Sequence, residues 1–94
     1  MRMMLIGAGA VGESILKVLQ YRDKNAEWLH FVLVCDYDLS RAEEVVHKLT
    51  DDGRFTAAAV NATDKEQMKE LINDYAIDFV MDAAPPFALS LIHI

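Results

Sequence analysis

The sequence is poor in cysteine, proline and basic residues, and each scarcity excludes a class of protein. One cysteine, Cys35, can build neither a disulfide framework nor a zinc site, and its place in an apolar run predicts a small buried side chain in a strand. Nine basic against fifteen acidic residues give a formal net charge of −6, which argues against nucleic acid or an anionic membrane as partner. No apolar run approaches the roughly 18 residues that span a bilayer. We therefore expect a globular protein of the cytoplasm.

Glycine is also scarce, yet three of the four glycines stand within six residues: Gly7, Gly9 and Gly12. They follow an apolar run and open a helical pattern, which is the context of a dinucleotide-binding fingerprint. Gly7 allows the tight turn out of a strand, Gly9 lets a diphosphate approach the backbone, and Gly12 lets the helix pack closely on the strand. The helix start then offers free N–H groups and the positive end of its dipole to phosphates.

Apolar runs alternate with amphipathic stretches along the whole chain. The 94 residues allow one domain at most, and the pattern predicts strands at 2–6, 30–35, 55–60 and 77–81 with helices between them. In the first helix, residues 11, 15, 18 and 19 are expected to face the sheet. In the third, residues 68, 71, 72 and 75 are expected to point inward. This order predicts an α/β fold, a Rossmann-like doubly wound parallel sheet with strand order 3-2-1-4.

Polar residues just past the strand ends are the candidate ligand contacts. Asp36 ends the second apolar run, where a carboxylate can accept hydrogen bonds from ribose hydroxyls and repel the extra phosphate of NADP. Arg41 could instead reach that phosphate. Asn61 or Asp64 could contact the adenine edge, although Asp64 is also well placed as a helix cap. We therefore favour NAD over NADP as the cofactor.

No residue pattern predicts a catalytic group or a metal site. The three histidines, His30, His47 and His93, are scattered along the chain, and none belongs to an arrangement of nucleophile, base and acid.

Four segments of the chain resemble the N-terminal nucleotide-binding domain of the saccharopine dehydrogenase family. They are residues 5–12 (LIGAGAVG), 36–43, 62–64 and 82–87 (DAAPPF), of which the last is the most selective. The resemblance implies an oxidoreductase of lysine metabolism or of related polyamine chemistry. It implies that Gly7, Ala10 and Val11 line the diphosphate turn, that Asp36 holds the ribose, and that Ala84 and Pro85 lie toward the nicotinamide.

In that family a separate, later domain shapes the site for an amino-acid-derived substrate, and the full-length protein could form a homodimer. The chain departs from the family after Phe87, so we expect residues 1–87 to be a truncated cofactor domain and residues 88–94 to be a C-terminal tail, whose origin in the parent protein the sequence leaves open. The fourth strand should then be an unpaired, apolar edge, and the isolated chain should be only marginally stable.

Two other functions are compatible with a glycine turn followed by an acidic residue. One is a noncatalytic nucleotide sensor, such as the regulatory domains that gate potassium transport, although these usually lack the double proline after the fourth strand. The other is a methyltransferase that binds S-adenosylmethionine, whose glycine turn is usually looser than this six-residue form.

Overall fold

The computed structural model describes residues 1–49, 53–83 and 90–93, which form one sheet with helices on both of its faces. The elements in chain order are β1 (Arg2–Ile6), α1 (Ala10–Arg22), β2 (Phe31–Asp36), α2 (Leu39–Lys48), β3 (Phe55–Ala59), α3 (Lys65–Asp74), β4 (Phe79–Asp82) and β5 (Ser90–His93).

The first four strands are parallel and lie in the order β3-β2-β1-β4, which confirms the predicted fold class. Because β1 lies between β2 and β4, the chain reverses its winding direction beside β1. Ligands of such sheets bind at this switch point, outside the carboxyl ends of the strands.

The fifth strand corrects one expectation. Residues Ser90–His93 form β5, which pairs antiparallel with β4, so β4 has a neighbour on both sides and is not the unpaired edge that the sequence predicts. The sequence did not predict β5 because the segment is short and follows two prolines, a pattern that is typical of the end of a sheet.

Each face of the sheet has its own apolar core. Met3 and Leu5 point to the side covered by α1 and α2, while Met4 and Ile6 point to the side covered by α3. The inward positions predicted for α3 are confirmed, since Met68, Leu71, Ile72 and Tyr75 all pack on the second core. This two-sided burial explains why β1 and β2 are nearly continuous apolar runs.

The prediction for α1 is wrong at one position. Val18 is 52% exposed, and Leu16 is fully buried instead. The reason is the close approach of α1 to the turn at Gly12. It places Gly12 and Leu16, four residues apart, at the centre of the helix face that packs on the sheet, so position 18 points toward solvent.

Candidate functional site

The chain leaves β1 through a turn that requires glycine. Gly7 has a φ of +99°, a backbone conformation that side-chain-bearing residues rarely adopt. Its N–H donates to the carbonyl oxygen of Cys35 at 2.8 Å, which ties the turn to the end of β2.

Gly12 lets α1 lie directly against this turn. A Cβ atom on Gly12 would clash with the carbonyl oxygen of Gly7 and would stand 3.2 Å from a methyl carbon of Leu5. Because the carbonyl belongs to the backbone, it cannot move aside as a flexible side chain would. The close helix–strand packing expected from the glycine spacing is therefore present.

Gly9, in contrast to Gly12, has open space around it. It is the N-cap of α1, with φ −84° and ψ −167°, and a Cβ built on it meets nothing within 4 Å. A Cβ here would project into open space at the helix start, so it is the absence of a side chain that leaves the backbone accessible to a ligand.

The start of α1 differs from the starts of α2 and α3. Asp38 caps α2 by accepting from the N–H of Ser40, and Asp64 caps α3 by accepting from the N–H of Gln67, which confirms the capping role predicted for Asp64. Within the described part of the chain, no side chain caps α1. Its first N–H groups and the positive end of its dipole therefore remain available to an anion.

A hollow of about 210 Å³ opens at this helix start. Its lining comprises Gly7, Gly9, Ala10, Val11, Asp36, Arg41 and Ala83. Six of these seven residues are candidate cofactor contacts from the sequence, and they come from the turn after β1, from α1, from the end of β2 and from α2. The seventh, Ala83, belongs to the segment of residues 82–87 that carries the family resemblance; it follows β4, and its N–H donates to the carbonyl oxygen of Ile6 at 2.7 Å. The candidates Ala84 and Pro85 lie outside the described residues.

Asp36 is the last residue of β2 and is only 8% exposed. Its Oδ2 accepts from the N–H of Ala8 at 2.8 Å and its Oδ1 accepts from the N–H of Asp38 at 2.9 Å. The carboxylate thus joins the glycine turn to the connection between β2 and α2. Because an ionised carboxylate has about four acceptor positions, it can hold both amides and still accept from ribose hydroxyls.

Arg41 lies in the first turn of α2, is exposed, and lines the same hollow as Asp36. In the part of the chain that the structure describes, its guanidinium has no ion-pair partner. The hydroxyl and N–H of Ser40 are the main causes that hold the pKa of Asp38 below its ordinary value, and the charge of Arg41 adds to their effect. Arg41 is therefore a cation at the rim of the site, able to bind a phosphate.

A second hollow, also of about 210 Å³, adjoins the first and shares Gly7, Asp36 and Arg41 with it. Tyr37, Val60 and Ala62 line it as well. Asn61, the candidate for the adenine edge, is not among the lining residues. Its Oδ1 accepts from both the N–H and the hydroxyl of Thr63, so the side chain organises the turn before α3.

A larger groove of about 530 Å³ runs from the start of α1 along α2. Lys48 at the end of α2 donates to Glu13 in α1 at 3.0 Å, and Lys17 lies 3.1 Å from the same carboxylate. The hydrogen bonds from Lys48 and then Lys17 lower the pKa of Glu13, and Glu13 in turn raises the pKa of Lys48. These lysines compensate the one acidic side chain in the first turn of α1, next to the place where a diphosphate would bind.

The described residues contain no cluster of three or more histidine, cysteine, aspartate or glutamate side chains suited to holding a metal ion. Across the same residues, no helix has both the length and the apolar character needed to cross a bilayer.

The parallel sheet, the glycine turn at its switch point and the acidic residue ending β2 together define a dinucleotide-binding domain of the Rossmann type. Comparison with protein families agrees: residues 3–92 match the family described as the saccharopine dehydrogenase NADP binding domain. The chain belongs to this family. None of the curated proteins compared with the chain matches it. The family's description names NADP, so it does not support the preference for NAD expected from Asp36.

Proposed function

We propose that the chain is the cofactor-binding part of an NAD(P)-dependent oxidoreductase that acts on an amino-acid-derived imine or secondary amine, as in lysine metabolism. The observation that carries the cofactor assignment is the uncapped start of α1, which opens into a hollow together with Asp36 and Arg41. The substrate class rests on the resemblance to the family alone. The same proposal includes a cytoplasmic location, a homodimer of the full-length protein and a separate domain that binds the substrate.

In this proposal each group at the site has its own part of the cofactor to hold. The N–H groups at the start of α1 bind the diphosphate, and Gly9 leaves room for it. Asp36 orients the ribose while keeping the glycine turn in place. The bound nicotinamide supplies or accepts hydride, and this chain contributes its position. Alone, the chain should bind cofactor and turn over nothing.

The choice between the two cofactors depends on a pair of opposite charges. The carboxylate of Asp36 favours NAD, because it repels a phosphate on the ribose. The guanidinium of Arg41 favours NADP, because it can form charge-assisted hydrogen bonds with that phosphate. We propose Arg41 as the contact for the 2′-phosphate, in line with the description of the family.

Isothermal titration calorimetry with NADPH, NADH and S-adenosylmethionine tests the proposal. Both dinucleotides, or one of them, should bind, whereas S-adenosylmethionine should not. Arg41→Ala should weaken the binding of NADPH by roughly ten-fold, which is the effect of losing a charge-assisted hydrogen bond. It should weaken the binding of NADH much less. Arg22→Ala, which removes another exposed arginine from the end of α1, is the matched control.

Two results would contradict the proposal. Binding of S-adenosylmethionine without dinucleotide binding would point to a methyltransferase, and reductase turnover by the chain alone would show that it holds its own catalytic groups. Asp36→Ala is a poor test of cofactor choice, because it also removes the acceptor of the Ala8 amide and so disturbs the turn.

A further inference from the structure

The second hollow extends the dinucleotide site in the direction of the adenine end. It lies beyond Asp36, and it shares Asp36 and Arg41 with the hollow at the start of α1, so one ligand can occupy both. A ribose held by Asp36 would leave its base facing this second hollow. This placement rests on the dinucleotide function proposed above.

The side chains best suited to reading the polar edge of a base, Asn61 and Asp64, each have one oxygen bonded within the segment that leads into α3. The Oδ1 atom of Asn61 accepts from Thr63 at 2.6 and 3.0 Å, and Asp64 Oδ1 accepts from the N–H of Gln67 at 3.1 Å. Gln67 in turn accepts from the backbone N–H of Asn61 through its Oε1. These bonds build the turn and the cap of α3, and neither Asn61 nor Asp64 lines the hollow.

The hollow instead offers flat and apolar contacts. Tyr37 lines it and is 84% exposed, so its ring is accessible to a ligand. Val60 and Ala62 add apolar surface to the same hollow. Nucleobases stack favourably on tyrosine rings, whichever base is present.

We propose that Tyr37 holds the base of the dinucleotide by stacking, and that neither Asn61 nor Asp64 reads its polar edge. Tyr37 is thus a positioning residue. The site should select its cofactor through the diphosphate, the ribose and the 2′-phosphate, and it should scarcely distinguish adenine from another purine.

Calorimetric titration of the intact chain tests this with a matched pair of cofactors: NADP and its analogue with hypoxanthine in place of adenine. Hypoxanthine changes the hydrogen-bonding edge of the purine and keeps its stacking face. The two affinities should agree within about three-fold, whereas loss of a hydrogen bond from the edge would separate them by roughly ten-fold.

Variants of Tyr37 supply the second arm. Tyr37→Ala should weaken the binding of NADP and of its hypoxanthine analogue by roughly five-fold or more, and Tyr37→Phe should retain the wild-type affinity. Neither variant should affect folding, because the ring is exposed; thermal unfolding checks this. Tyr21→Ala removes another exposed tyrosine, on α1, and should change nothing.

The outcomes separate this proposal from the proposed function. A ten-fold preference for adenine, or a Tyr37→Ala variant that binds like the wild type, would overturn the stacking proposal and leave dinucleotide binding intact. If the wild type bound no dinucleotide, both proposals would fail together.

Discussion

Among single residues, substitutions at Gly9 and Gly12 should have different effects: one should weaken cofactor binding and the other should lower the stability of the fold. Gly12→Ala should destabilise the protein strongly, because the added methyl group meets the backbone carbonyl of Gly7. Gly9→Ala should cost at most about 1 kcal/mol, the difference between glycine and alanine at an N-cap, because its backbone suits alanine and its surroundings are empty.

Gly9→Ala should nevertheless weaken dinucleotide binding, because the methyl group occupies the approach to the start of α1. Thermal unfolding and calorimetric titration of both variants check this. A Gly9→Ala protein that binds cofactor as well as the wild type would contradict the placement of the diphosphate.

Cys35 gives a second test at this scale. It is fully buried in β2, as predicted from its apolar surroundings, and burial raises the pKa of its thiol to about 12. Because the thiolate is the reactive form, the native protein should not react with a disulfide reagent such as dithionitrobenzoate at pH 8, while the unfolded protein should react at once. Rapid labelling of the native protein would contradict the burial of β2.

The residues that sequence patterns identified are those with a local signature. Gly7, Gly9, Gly12 and Asp36 have fixed spacing around a strand and a helix, and the structure brings them to one rim. The hydrogen bond from Ala8 to Asp36 had no such signature, since it depends on how two loops meet. The same is true of the lysine at position 48, which pairs with Glu13 across 35 residues.

At the scale of elements, the connection from α1 to β2 was the least predictable. Its polar sequence reads as a solvated loop, yet Asp23 and Arg54 are each only 4% exposed. Asp23 accepts from the N–H groups of Glu27, Trp28 and Leu29, and Arg54 donates to the carbonyl oxygens of Asp23 and Leu29. A buried pair of this kind arises only when the residue before β3 reaches the end of α1, which no local pattern reveals.

This connection should make the protein sensitive to acid. Burial alone would raise the pKa of Asp23, but the N–H groups of Leu29, Glu27 and Trp28, with the charge of Arg54, hold it below its ordinary value. A lowered pKa in the folded state adds stability above the unfolded value of about 4, and this stability is lost as the pH falls through the folded pKa.

The pKa values of Glu13 and Asp38 are lowered too, so all three carboxylates act in the same direction. Urea unfolding should give a nearly constant free energy between about pH 5 and 7 and a steep decline below about pH 4. Asp23→Asn should reduce that decline as well as the stability at neutral pH. A stability that stays level into strong acid would show that these carboxylates are not bonded as described.

At the scale of the whole molecule, the alternation of apolar runs and amphipathic stretches was enough to predict the parallel sheet and its order. The winding rules leave few arrangements once the strands and helices are assigned. They do not apply to β5, which is an antiparallel addition beside β4. With that pairing, the expected reason for marginal stability, a bare β4 edge, no longer holds.

The fold brings the ends of β1, β2 and β4 to one rim, where we propose that backbone amides at the start of α1 bind a diphosphate. Amide NMR of ¹⁵N-labelled protein during titration with NADPH tests it most directly. The largest shift changes should occur at residues 9–12, with smaller ones at Asp36 and Arg41. Saturable binding that leaves the amides of residues 9–12 unshifted would contradict it.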